Sequence, residues 1–136
     1  ARELLETLRR EGDRVAMVAD GEAESFHNVY SRLGLLDCFE ARIYSSDVGA
    51  EKPSPLMFEA AMRAMGLTEE EKRRIVMVGN HVKKDILGAN RFGLTSILID
   101  WSKRYPTVPE TAEETPCRVI HAPPELLPLL RALRES

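Results

Sequence analysis

Cysteine is scarce in this chain of 136 residues, which holds only Cys38 and Cys117. The two lie far apart and without metal-ligand spacing, so a disulfide framework, a zinc site built on thiolates and a redox role are all excluded, and both read as ordinary thiols. Histidine is also sparse. His27, His81 and His121 are scattered, with no His-x-x-x-His pair to suggest zinc. No apolar run approaches the roughly 20 residues that cross a bilayer, and no charged-then-apolar segment opens the chain, so no membrane association and a cytoplasmic location are expected. Charge of one sign is not in excess either: 19 basic and 22 acidic residues give a net charge of −3. They are interspersed, without the basic stripe that neutralises phosphates along a nucleic acid, which removes nucleic acid as a partner. There is no Gly-x-Gly-x-x-Gly and no Gly-Lys-Ser loop, which removes dinucleotide and nucleoside-triphosphate readings. A Gly-x-Ser-x-Gly elbow is missing too, which removes a serine hydrolase.

What is present is a soluble globular composition, 43% apolar and 30% charged, with no internal repeat and no low-complexity tract. The only linker-like segment, Lys103 to Pro116, is too short to divide domains, so residues 1–136 are expected to form one domain. Apolar patterning alternates between short β-branched runs and helical spacing, which predicts an α/β fold with a parallel sheet. A helix runs to about Glu11 with Leu4, Leu5 and Leu8 on one face and Gly12 as its stop. A strand over Arg14 to Ala19 follows, ended by Asp20-Gly21. Glu22 to Leu35 reads as a helix and Arg42 to Ser46 as a strand. A loop from Ser46 to Pro55 is barred from helix by Pro53 and Pro55. Leu56 to Met65 then reads as a helix whose apolar face is Met57, Phe58, Ala61, Met62 and Met65, capped by Ser54 and closed by Gly66. Thr68 to Glu71 resembles a capping box opening a short helix.

The organising stretch is Ile75 to Asn90. Ile75 to Val78 has the composition of a strand buried on both faces, Gly79 ends it, and Val82, Ile86, Leu87 and Ala89 recur at helical spacing. In open parallel sheets, ligands bind just beyond the carboxyl ends of the strands. Asp20, Lys52, Asn80 and Asp85 each follow a strand or belong to the loop after one. After Gly93, Thr95 to Asp100 is another buried strand, Trp101 to Pro116 is loop, Arg118 to His121 is a short edge strand and Pro124 to Leu133 a terminal amphipathic helix.

Val78 to Asn90, Val-Gly-Asn-His-Val-Lys-Lys-Asp-Ile-Leu-Gly-Ala-Asn, resembles the fourth motif of the haloacid dehalogenase superfamily of hydrolases and phosphatases. In that family a Gly-Asp turn and a second Asp followed by Gly-Ala close a magnesium site; the first acid is Asn80 here and the second is Asp85. Val48 to Phe58 resembles the third motif, with Lys52 on its Lys-Pro position. Val15 to Gly21 resembles the second motif, in which a strand ends in Thr or Ser followed by Asn-Gly. The hydroxyl position falls on Ala19, and Asp20-Gly21 stands for Asn-Gly. The first motif, a strand ending in Asp-x-Asp, occurs nowhere in the sequence.

The resemblance implies a Rossmann-like parallel sheet flanked by helices, a haloacid dehalogenase-like core whose central first strand is absent from the chain. It implies phosphomonoester hydrolysis through an aspartyl phosphate, in which Lys52 is the catalytic charge-neutralising residue. Asp20, Gly21 and Lys52 would bind phosphate, and Asn80 and Asp85 would hold Mg2+. Mg2+ is the implied cofactor, its binding weakened by the amide at Asn80. A small phosphorylated metabolite is the implied substrate, and a partner segment or second chain is expected to supply the central strand. Taken singly, Lys52 reads as a solvated loop lysine, Asp85 as a helix-surface acid and Asn80 as the cap for Val82 and Lys83. Two readings of function stand side by side. One is a phosphatase-type core that is inactive for want of the nucleophile motif. The other is a non-catalytic family member, degenerate at Ala19 and Asn80, acting as a binding or scaffold domain.

Overall fold

The computed structural model describes residues 2–101 and 105–134. Of the loop expected over Trp101 to Pro116, Ser102 to Arg104 lie outside the described residues. The chain forms two compact units, one up to Glu69 and one from Glu70 onward.

In the first unit, α1 (Arg2–Arg10) buries Leu8 and stops at Gly12, whose φ of 86° lets the amide of Asp13 turn back to the Leu8 carbonyl. β1 (Ala16–Ala19) pairs in parallel with β2 (Ala41–Tyr44), in a register that sets Ala16 beside Ala41 and Ala19 beside Tyr44. Between them runs α2 (Ala23–Arg32), no residue of which is fully buried. β2 ends two residues earlier than its composition predicts, because Ser45 to Val48 turn into a short helix, α3. The serine hydroxyls explain the early end. Ser45 Oγ accepts from the Gly21 amide and Ser46 Oγ from the Ala23 amide, which draws the chain off the strand direction, and Gly49 at φ 84° closes the turn. α4 (Pro55–Met65) follows the expected rules: Ser54 Oγ caps the Leu56 amide, Pro55 stands in the first turn and Gly66 ends the helix in the left-handed region. Met57, Phe58 and Ala61 carry its buried face.

In the second unit, β3 (Val76–Gly79), β4 (Thr95–Ile99) and β5 (Arg118–Ile120) form a parallel sheet in the order β3-β4-β5. β4 is central and its Ser96, Ile97 and Leu98 are buried. β3, expected to be buried on both faces, is only half-buried at all four positions, since it pairs with β4 alone among the described residues. Glu69 to Arg74, expected as a helix opened by Thr68, forms a 3-10 turn. The helix expected from Val82 begins instead as one π-turn, Val82–Ile86, before α5 (Leu87–Phe92), closed by Gly93. The amides of Lys84, Asp85 and Ile86 all reach the His81 carbonyl, at 3.3, 2.9 and 3.2 Å, which widens the first turn. Val82, Ile86 and Leu98 form the centre of the core. Fully buried Ser96 is satisfied by Asn90, to whose Oδ1 it donates at 2.7 Å, and by the Cys117 amide, from which it accepts. α6 (Leu126–Arg134) ends the fold after a 3-10 turn at Pro123–Glu125. Parallel strands flanked by helices make up each unit, the α/β class expected.

Candidate functional site

In the first unit Asp20 and Gly21 follow β1 directly, and Lys52 lies in the loop between α3 and α4. The structure brings all three to one place. The Lys52 amide donates to Asp20 Oδ1 at 2.9 Å, and its ammonium donates to the Val18 carbonyl, also at 2.9 Å. Lys52 is 7% exposed. A solvated loop lysine is therefore not what the fold contains; the charge is held against the end of β1 by a backbone carbonyl. The Lys52–Pro53 peptide bond is cis.

The turn after β1 also has a hydroxyl, although none stands at Ala19. Because Ala19 lies beside Tyr44 in the register, the next residue of that strand, Ser45, falls beside the Asp20-Gly21 turn. Its Oγ accepts from the Gly21 amide at 2.6 Å and donates to the Gly21 carbonyl at 3.3 Å. Sequence reasoning passed over Ser45, whose only local signal was a serine pair at the end of a strand; pairing of β1 with β2 gives it this place. Gly21 has φ 148°, and a Cβ there would come within 2.6 Å of the Phe26 ring, so glycine is required for both backbone and space.

In the second unit Asn80 follows β3 and Asp85 lies in the π-turn. Asp85 is 6% exposed, and its Oδ2 accepts from the amides of Asn80 at 3.0 Å and His81 at 3.2 Å. It is a buried acid folded back on the strand end, not a helix-surface residue. The cap of this turn is His81, whose Nδ1 accepts from the Lys83 amide at 3.2 Å, and not Asn80. The His81 ring packs on Tyr105 at 5.2 Å, and the Val82 amide donates to the Pro106 carbonyl, so the loop after residue 104 rests on the turn. Lys83 ties it further to Glu110 and Glu114.

Magnesium asks for hard oxygen donors and usually takes one or two carboxylates, completing six positions with water and phosphate. Asp85 offers one buried carboxylate and Asn80 one amide oxygen, a donor set that fits the ion as a weak site. Among the described residues no three Asp, Glu, His or Cys side chains are grouped as a metal cage.

The haloacid dehalogenase-like hydrolase family matches residues 1–93. The chain is similar to the glyceraldehyde 3-phosphate phosphatases of Methanopyrus kandleri, 35% identical over 95% of this chain and 54% of that protein, and of Pyrococcus furiosus, 32% identical over 96% and 52%. It thus spans about half the length of the curated relatives it matches. Among solved structures it resembles the HAD phosphatase of Thermococcus onnurineus, with TM-score 0.79, 28% identity and coverage of 94% of this chain and 55% of that one. It also shares its fold with the HAD-hydrolase YfnB of Bacillus subtilis bound to magnesium, with TM-score 0.82, 22% identity and coverage of 96% and 54%. Carrying the second, third and fourth motif positions in order on a parallel α/β framework, and matched by the family over most of its length, the chain belongs to the haloacid dehalogenase-like hydrolases.

Proposed function

We propose that this chain carries the phosphate-neutralising and magnesium-holding residues of a haloacid dehalogenase-type phosphatase core. We further infer that its 136 residues do not hydrolyse a phosphomonoester by themselves, because no Asp-x-Asp occurs in the sequence. The observation that carries the reading is the Lys52 ammonium on the Val18 carbonyl, 2.9 Å away, with the Lys52 amide on Asp20, since it joins the third motif to the second. In this reading Lys52 offsets the negative charge of a phosphoryl group and keeps an attacking carboxylate ionised, while the turn at Asp20 and Gly21 orients the phosphoryl oxygens. Asn80 and Asp85 hold Mg2+, which when bound supplies further neutralisation of phosphoryl charge. Asp85 in turn is held in place by the amides of Asn80 and His81.

The attacking carboxylate comes from a segment or chain that adds a strand. β1 pairs only with β2 and β3 only with β4 among the described residues, so each has an edge that accepts one. The substrate class is a small phosphorylated metabolite, in keeping with the names of the relatives. No helix among the described residues is long and apolar enough to cross a membrane, and a cytoplasmic setting goes with the proposal. A non-catalytic binding or scaffold role is the second reading, favoured by Ala19 and Asn80.

Assay of the chain with p-nitrophenyl phosphate and magnesium tests the proposal. No turnover is expected, together with NMR shifts at Gly21 and Lys52 on addition of inorganic phosphate that vanish in Lys52→Met. Turnover that disappears in Lys52→Met would overturn the inactivity. Absence of any phosphate response in the wild type would leave the scaffold reading in its place.

A further inference from the structure

The turn after β1 directs its backbone amides onto hydroxyls. Gly21 donates to Ser45 Oγ at 2.6 Å, and Ala23 donates to Ser46 Oγ at 2.9 Å. Each backbone N–H is a single donor, so an amide engaged in this way has no hydrogen left for a bound anion. The Gly21 amide therefore acts on a ligand only through Ser45.

The proton of Ser45 is the loosely held part of this arrangement. Oγ lies 3.3 Å from the Gly21 carbonyl, well beyond the roughly 2.7–2.8 Å usual between two bonded oxygens, whereas the bond it accepts is short. The carbonyl does not depend on that proton, for it also accepts from the Ser46 amide at 3.2 Å. Turning the hydroxyl elsewhere thus leaves neither backbone group of Gly21 without a partner. A hydroxyl that accepts from an amide is also the stronger donor, because each bond in such a chain polarises the next.

Place and charge decide what takes the proton. Ser45 is 9% exposed and sits just inside a turn at which Gly21 is half-buried and Ser46 exposed. Asp20, the residue before Gly21, accepts the Lys52 amide, and the Lys52 ammonium lies on the Val18 carbonyl, so cation and hydroxyl serve the same strand end. An anionic oxygen is the acceptor that suits a polarised hydroxyl beside a buried ammonium.

We propose that Ser45 binds the phosphoryl group: its hydroxyl turns from the Gly21 carbonyl to a phosphoryl oxygen and relays the Gly21 amide to it. This rests on the phosphatase reading of the turn and adds to it a hydroxyl that the chain lacks at Ala19. Ser45 contributes direction, while Lys52 offsets the charge.

Titration of the whole chain with inorganic phosphate at constant ionic strength, followed by NMR, tests the proposal. The Gly21 amide resonance of the wild type should move downfield as phosphate binds, because Ser45 Oγ becomes a better acceptor once its proton is given to the anion. Ser45→Ala should weaken phosphate by about tenfold, the loss of one bond to a charged group. Ser46→Ala loosens the same turn at Ala23 and should leave the affinity at the wild-type value. Affinity unchanged or raised in Ser45→Ala would overturn the proposal, since the hydroxyl would then do no more than block the Gly21 amide. An equal loss in Ser46→Ala would overturn it too, by reducing Ser45 to a support of the turn. So would a Gly21 resonance that stays still while Lys52 responds. A wild-type response that Lys52→Met abolishes and Ser45→Ala leaves intact removes Ser45 alone, whereas no wild-type response at all removes the phosphatase reading with it.

Discussion

Gly79 and Asp85 occupy each other's space: a Cβ on Gly79 would lie within 2.5 Å of the Asp85 Cγ and Oδ2. The strand end is thus open to the acid only because position 79 has no side chain. Gly79→Ala should push Asp85 off the amides of Asn80 and His81 and cost about 1–3 kcal/mol, in the manner of an overpacked core. Urea unfolding of the variant against the wild type measures it, and a midpoint equal to the wild type's would sink the idea.

Two substitutions at Asp85 separate its structural part from its proposed part in metal binding. Asp85→Ala strips the acceptor from two backbone amides and should destabilise by about 2–4 kcal/mol. Asp85→Asn keeps an oxygen for them and should lose less than half as much, while calorimetric Mg2+ binding falls below detection in both. Retained Mg2+ binding in Asp85→Asn would remove the acid from the magnesium site.

Ser45→Ala should leave the Gly21 amide without its acceptor and cost about 1–2 kcal/mol. Hydrogen exchange should show the loss locally, as faster exchange at Gly21. Ser46→Ala, whose hydroxyl is exposed, should accelerate exchange at Ala23 only.

Acid should weaken the fold through two exposed pairs. Hydrogen bonding to Arg14 lowers Glu40, and hydrogen bonding to Arg91 lowers Glu113, from an ordinary value of 4.5. A carboxyl lowered in the folded state contributes stability that is present above 4.5 and lost as pH falls through its folded value. Lys83 has the opposite sign: its bond to Glu110 raises it from 10.5, so its contribution is complete below 10.5 and lost as pH rises beyond. Denaturation midpoints of Arg14→Met and Arg91→Met should therefore fall less steeply below pH 4.5 than the wild type's. Because both pairs are exposed, 0.5 M salt should flatten the same difference.

Most of the element order was legible before any coordinates. Gly12, Gly66 and Gly93 mark helix ends, Ser54-Pro55 marks a helix start, and Ile97 to Ile99 mark a buried strand, because each depends on local backbone chemistry or on a run of like residues. The misplaced boundaries have causes that apolar patterning does not carry. β2 yields to α3 at Ser45 because the hydroxyls of Ser45 and Ser46 find amides more than twenty residues away. The π-turn at Val82 arises from three amides sharing one carbonyl, which no periodicity of apolar residues announces.

The candidate residues divide in the same way. Alternating apolar patterning by itself determined the α/β class, and the motif resemblance the family and the choice of Asp20, Gly21, Lys52, Asn80 and Asp85, since each motif is a short string at the end of a strand. Burial of the Lys52 ammonium against Val18, the folding of Asp85 onto the Asn80 and His81 amides, the capping by His81 and the arrival of a hydroxyl from Ser45 were decided only by the tertiary structure. Those contacts depend on strand register and on the room left by Gly79, and both are set by which segments pair in space, a quantity that one-dimensional patterning does not contain.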